Sequence, residues 1–469
     1  MRHFLLSLSL FFIACGGAQT GLNAGVADQG GLKLDVETYT LSNGLTVQLS
    51  HDDRLPVVAV EVRYLVGSAN EVQGRSGFTH LFEHLMFQGS ENFNDEYFKP
   101  LSPIGAAVNG TTSNDRTNYY ERVPREYLEL ALWLESDRME NLLPALSQTK
   151  LDNQREVVKN ERRQSYEDRP YGMFWLRLFD NLYPKGHPYD HTPIGSHADL
   201  SAATLEDVKG FFTQYYVPAN AVVTIVGDFD PTTTKALVER YFGHLKAGER
   251  APRPAVTSAV LAEDVHVVEP DEVKLPRLYY AWHTPALMQA GDAAMDILAS
   301  VLTDGKTSRL YKPLVYEQKI AKDISAFQVS MQLGGFFVLQ ATAAPGKTLD
   351  DLRVAVDAAL ATALASPPTD QEMTRVINGW KKSFYGRIES VLSRAQLLSN
   401  YYHITGSPDY LNKDLARYTS LDAASVHAEA NRWLSAKRVR IDIIPAAAKE
   451  APTSSAQGSE PASAKEGSK

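Results

Sequence analysis

The sequence predicts an α+β protein: two tandem, similar α+β domains, each an antiparallel sheet packed with helices. Three observations predict the tandem. The chain has 469 residues, past the length at which one core keeps growing. A Pro-rich stretch at 249–258, Glu-Arg-Ala-Pro-Arg-Pro-Ala-Val-Thr-Ser, divides it near the middle. Apolar positions then coincide at a constant offset of 218 residues, Val208 with Val426, Tyr215 with Trp433, Val223 with Ile441 and Ile225 with Ile443. A chance match of helix-then-strand periodicity is the competing explanation. The hydrophobic fraction of 44% is enough for sizeable cores.

Residues 1–15 read as a secretion signal: Arg2 is the positive start, 4–13 the apolar run and Ala14 the small residue before a break. The run is too short for a membrane span. Phe12-Ile13-Ala14-Cys15-Gly16-Gly17 resembles a bacterial lipobox, which implies cleavage before Cys15 and acylation of its thiol. An ordinary signal with an incidental cysteine is the alternative. Gly16 in place of Asp fits outer-membrane sorting, so the expected location is the cell envelope, lipid-anchored on the periplasmic side of a Gram-negative bacterium. Cys15 is the single cysteine, so there is no internal disulfide or thiolate cluster, and any metal site must use histidines and carboxylates. Residues 16–33 are a Gly-rich tether. A net charge of −9 with no basic stripe argues against nucleic acid as a partner.

The first domain is expected over 34–248. Residues 37–40 and 45–50 are strands about the hairpin signal Ser42-Asn43-Gly44, and 57–66 is a third. Strands follow at 106–112 and 116–122. Helices are expected from Pro124 to about 141 and from 147 to 168, stopping before Pro170. An aromatic-rich helix after Tyr171, a helix at 205–216, a strand at 221–227 and a helix from Pro231 to 242 complete it. The second domain, 259–446, repeats the grammar. It has strands at 265–268, 277–282, 336–342 and 439–444, and helices at 292–302, 350–364, 370–390 and 423–434. Residues 447–469, rich in Ala, Ser, Glu and Lys, are a disordered tail.

The chemistry centres on 77–87, Gly-Phe-Thr-His-Leu-Phe-Glu-His-Leu-Met-Phe, which reads as a helix. His80 and His84 stand four apart, on one helical face, with Glu83 at its border. Two imidazoles so spaced grip one metal ion, and the neighbouring carboxylate takes a proton from the attacking water. A third ligand is needed. On the 147–168 helix, Leu151, Gln154, Val157, Val158, Glu161 and Ser165 share a face, while Lys159, Arg162, Arg163 and Asp168 project elsewhere. Glu161 is then an inward acid, costly unless it binds a cation or pairs with an arginine.

At these residues the sequence resembles a known family. His80-Leu81-Phe82-Glu83-His84 is the inverzincin signature, and the 76 residues between His84 and Glu161 match the spacing of the pitrilysin/insulinase zinc peptidases, family M16. Asn109-Gly110-Thr111-Thr112, Thr117-Asn118-Tyr119-Tyr120 and Val157-Val158-Lys159-Asn160-Glu161 agree with it. The resemblance spans about 34–445 and is specific in the first half, and it implies that the two domains together form half of a clam-shell chamber for short peptides. It implies zinc on His80, His84 and Glu161, with Glu83 as general base toward a zinc-activated water in peptide-bond hydrolysis. It also implies substrate binding along 106–111, touching Asn109 and Gly110, by addition of a strand, and a cleft that Tyr119 or Tyr120 lines unless they simply pack.

Two positions depart from the family pattern. Gln154 stands where relatives often carry a supporting acid. After Ser308-Arg309-Leu310, the positions of an expected Arg and Tyr, seven apart, hold Tyr316 and Asp323. Oxyanion stabilisation is a large term, so the expectation is a zinc subunit of a heterodimer whose partner, of similar fold, carries the Arg/Tyr pair. The alternatives are a catalytically weak envelope scaffold or assembly subunit, and a metal-storing or sensing lipoprotein, neither of which needs Glu83. His187 and His191 mimic a second metal site, but Pro188 denies them a helical face. His51, His266 and His283 have no partner pattern.

Overall fold

The computed structural model describes residues 32–446 except 255, 257 and 258. The signal with Cys15, most of the tether and the tail lie outside the described residues. Among those described, no helix is long and apolar enough to cross a membrane.

The first half runs β1 (Glu37–Thr40), β2 (Thr46–His51), β3 (Val57–Tyr64), α1 (Phe78–Leu85), β4 (Ala107–Thr112), β5 (Thr117–Pro124), α2 (Leu128–Ala145), α3 (Gln148–Arg162), α4 (Met173–Leu182), α5 (His197–Ala202), α6 (Leu205–Tyr215), β6 (Ala221–Gly227) and α7 (Pro231–Phe242). Its sheet has the order β1-β2-β6-β3-β5-β4. Gly44, at φ 87°, makes the β1–β2 turn without the penalty a side chain brings to that region. β2 runs parallel to β6, and the other pairs are antiparallel. β4 is the edge.

The second half runs β7 (Val265–Asp271), β8 (Arg277–Thr284), α8 (Asp292–Thr303), β9 (Ala321–Val329), β10 (Gly335–Ala343), α9 (Leu349–Leu364), α10 (Asp370–Glu389), α11 (Val391–Thr405), α12 (Leu411–Thr419), α13 (Ala423–Leu434) and β11 (Val439–Pro445). Its sheet has the order β7-β11-β8-β10-β9. With β1 set aside, the two sheets have one topology. β6 lies between parallel β2 and antiparallel β3, and β11 between parallel β7 and antiparallel β8. Val223, Ile225, Ile441 and Ile443 are fully buried at matching places. The offset of 218 is therefore a structural repeat.

Several elements differ from the sequence expectation. β9, α5, α11 and α12 are additional. The helix expected at 370–390 ends at Glu389, where Ser390 leaves helical geometry and caps α11 through Ser393 N. Pro124 closes β5, and residues 125–127 form a 3₁₀ turn before α2 starts. α2 continues past 141 but kinks there, with Asn141 at φ −112°, just before Pro144, whose ring and missing N–H disrupt a helix interior. α3 stops at Arg162 and widens into a π-turn over 163–167, closed by Asp168 N to Arg163 O. Val157 proves 40% exposed, because the buried line of α3 runs through Leu151, Gln154 and Val158.

The halves exchange helices. α4 lies on the second sheet, Phe174 stacking on Tyr279 at 3.9 Å between centroids and Phe179 meeting Phe336 edge-on. α11 lies on the first sheet, with Val391, Ala395 and Leu398 against Ala59 and Val226. Beside that apolar seam is a buried polar one. Arg63 donates to Ser399 Oγ (3.0 Å), Asn400 Oδ1 (3.0 Å) and Glu61 (3.2 Å), and Ser399 Oγ donates to Glu61 (2.7 Å).

Candidate metal centre and active site

α1 is held by its apolar side. Leu81, Phe82 and Leu85 are buried in the first core, each worth about 1.5–3 kcal/mol. Its start is fixed by a carboxylate from outside the helix: Glu71 accepts Gly77 N (2.9 Å) and Thr79 N (2.6 Å). Gly77 sits at φ 87°, and a Cβ there would meet Ile194 O at 2.8 Å. What remains of α1 faces α3, and on that side stand His80 and His84, with Glu161 opposite.

His80 Nε2 and His84 Nε2 each lie 3.3 Å from the same oxygen, Glu161 Oε2. His80 makes a hydrogen bond there; His84 Nε2 is buried and has no well-aligned partner. All three ligand atoms fall within 4.8 Å of one another. Glu83 is 4% exposed, lies 3.6 Å from His80 Nδ1, and accepts a hydrogen bond from Thr112 Oγ1 on β4 at 2.5 Å. Burial opposes charge on His80, but the hydrogen bonds to Glu161 and Glu83 outweigh it and push the imidazole up to about 10. Burial raises Glu161 as well, yet the two imidazoles hold it well below the usual carboxylate range. Glu83 is also lowered: burial is overcome by His80, His84 and Thr112. Two carboxylates thus demand positive charge at one point, where a buried imidazole nitrogen stands unsatisfied. That donor set fits a divalent cation of the zinc type, two nitrogens and one oxygen with a position left open.

The remaining expected residues are placed as follows. Gln154 is buried on α3, seven residues before Glu161 and so on the same side. Asn109 is exposed on β4, its Oδ1 accepting Gly110 N. Gly110 faces inward, and a Cβ there would meet the rings of Phe87 and Tyr119 at 3.0 and 3.1 Å, so its free offering is backbone. The outer edge of β4 has no strand partner among the described residues. Tyr119 is fully buried and packs; Tyr120 is half-buried. Arg309 is locked to Glu372 by two 2.8 Å bonds and to three backbone carbonyls. Tyr316 is 73% exposed, and Asp323 accepts from Thr342 Oγ1. His187 accepts Tyr189 N, and His191 bonds Glu71 and Asp190, so neither joins the metal cluster.

Sequence reasoning missed Glu71, His191 and the specific role of Thr112. Thr112 had a signal, its place in the Asn109–Thr112 stretch. Glu71 and His191 are 120 residues apart and had none.

Residues 46–185 match the family described as insulinase (peptidase family M16), and residues 202–379 the one described as peptidase M16 inactive domain. The zinc protease PqqE of Helicobacter pylori is 30% identical over 422 residues, 87% of this chain and 93% of that protein. The probable mitochondrial-processing peptidase subunit beta of Schizosaccharomyces pombe is 25% identical over 418 residues, covering 84% and 88%. The crystal structure of a protease from Helicobacter pylori superposes with a TM-score of 0.79 at 28% identity, over 88% of this chain and all of the other. With two M16 domains in order and a 30% identical relative matched along nearly its whole length, the chain belongs to the M16 peptidase family.

Proposed function

We propose that the chain is a zinc metalloendopeptidase for unfolded or short peptides, working as the zinc subunit of a heterodimer at the cell envelope. The observation that carries this is the convergence of His80 Nε2 and His84 Nε2 on Glu161 beside a buried, hydrogen-bonded Glu83. His80, His84 and Glu161 would hold the zinc, which when bound would supply a Lewis acid that makes water more acidic. Glu83 stays ionised at neutral pH, so it can accept a proton from the attacking water and return it to the leaving amine. Thr112 fixes the carboxylate through Oε2. The open edge of β4 receives the peptide backbone as an added strand, with Asn109 at its exposed side and Gly110 contributing main-chain groups only.

The oxyanion side is incomplete. Arg309 is occupied structurally, and Tyr316 and Asp323 cannot replace an Arg/Tyr pair. A partner chain of similar fold supplies that pair, and acylated Cys15 anchors the protein to the membrane. The missing pair also favours a second reading, a catalytically weak scaffold, against which stands the intact Glu83.

One experiment separates them: zinc content and peptide cleavage for wild type and Glu83→Gln, each with and without a candidate partner. The endopeptidase reading expects zinc in both proteins, weak cleavage by wild type alone, strong cleavage by the pair, and none with Glu83→Gln. Wild type that cleaves nothing in any pairing supports the scaffold.

A further inference from the structure

The segment 190–203 carries no metal ligand, yet it touches both helices that do. On one side it grips the lead-in to α1. His191 Nε2 bonds Glu71 Oε2 at 2.9 Å, and Glu71, its side chain wholly buried, is the carboxylate that caps Gly77 and Thr79. Ser196 N donates to Ser76 Oγ (3.0 Å), and Ser76 N donates to Asp199 (3.0 Å). On the other side it grips α3. Arg162, next to Glu161, donates to Gly195 O at 2.6 Å, and Arg155 donates to Ala203 O at 2.9 Å. Between the two, Gly195 lies flat on Ser76 and Gly77, with no room for a Cβ.

The geometry points to 190–203 as a strap that sets the spacing of the metal ligands, with His191 as its positioning residue acting through Glu71. A buried carboxylate holding two amides needs a partner, or it drifts toward solvent. His191 is that partner: burial disfavours its charge, but Glu71 and Asp190 outweigh burial and push the imidazole up to about 9. The pair is therefore charge-assisted at neutral pH, the stronger kind of hydrogen bond. Because α1 and α3 are separate in sequence, their separation is set by whatever bridges them. The strap bridges them on the side where Glu161 meets His80. Partners that orient ligands in this way typically change metal affinity by about 10- to 100-fold when removed.

This rests on the zinc reading of the site, so the test has a limb that needs no metal. In metal-free protein, His191→Ala is expected to speed hydrogen exchange at the Gly77 and Thr79 amides about tenfold, while His191→Gln, which keeps a donor for Glu71, stays near wild type. In zinc protein, chelator competition should show affinity lower by about 10- to 100-fold for His191→Ala and within about threefold of wild type for His191→Gln. The cobalt-substituted protein should change its visible spectrum only in His191→Ala. His266→Ala, which cuts the pair between half-exposed His266 and buried Asp442 on the second sheet, should change none of these. If His191→Ala does not fold, Arg155→Ala removes one of the strap's two ties to α3, leaving Arg162, and should weaken metal binding while leaving exchange at Gly77 and Thr79 unchanged. Wild-type exchange at both amides in folded His191→Ala overturns the strap. So does equal loss in the Ala and Gln variants. Failure of wild type to bind zinc sinks the zinc reading, and exchange alone then decides the strap.

Discussion

Glu83 and Glu161 are acids beside the same imidazole, and their surroundings give them different work. Glu161 faces two ring nitrogens, the arrangement a metal ligand needs. Glu83 is shared between His80 and the Thr112 hydroxyl, which leaves one oxygen to exchange a proton. Thr112→Val keeps the shape and removes the hydroxyl. Losing a hydrogen bond to a charged group costs about 1.5–3 kcal/mol, so cleavage by the active pair should drop about 10- to 100-fold, with zinc content unchanged by metal analysis. In the second half, Asp296 accepts from Tyr418 (2.7 Å), and burial, with Asp292 and Asp414 nearby, pushes it up to about 7. A carboxyl raised in the folded state stabilises below its unfolded value, and that contribution is lost as pH rises through about 7. Asp296→Asn should therefore melt higher than wild type at pH 8 and match it near pH 4, as thermal unfolding will show. The meeting of His80, His84 and Glu161 was legible in the sequence because helical spacing alone aligns His80 with His84, and inward patterning singles out Glu161. Glu71 and His191 were not, because each acts through a contact that only the folded chain creates.

At the scale of elements, α11 explains why part of the fold stayed hidden. Its sequence continues the helical pattern of α10 with no Pro or Gly between, and only Ser390 breaks it. Much of its buried face is polar, Arg394, Ser399 and His403, so it lacks a plain apolar stripe. It docks on the first sheet through both the apolar seam and the polar contacts of Arg63 and Glu61. Arg63→Ala would leave Glu61 buried with hydrogen bonds from Ser399 and Asn118 but without its ion-pair partner, and should cost about 3–5 kcal/mol, read as a lower urea midpoint. β4 shows the opposite constraint. Gly110→Ala presses a methyl into Phe87 and Tyr119 and should cost about 1–3 kcal/mol, with a matching fall in melting temperature.

For the whole molecule, the repeat was readable from the offset of 218, while the exchange of α4 and α11 was not. A linker tells where the chain crosses between halves, not which core each helix joins. Expressed alone, residues 34–248 leave Ala59 and Val226 uncovered and α4 without its sheet, so this piece should aggregate or bind a hydrophobic dye. Co-expression with residues 259–446 should restore a soluble complex on size exclusion. The same exchange has a consequence in time. Chains are made from the amino end, and the first sheet waits for a helix encoded far beyond its last strand. A nascent chain that cannot bury its own sheet stays unfolded for longer. The cluster of His80, His84 and Glu161 is then not set in place until the second half has been made.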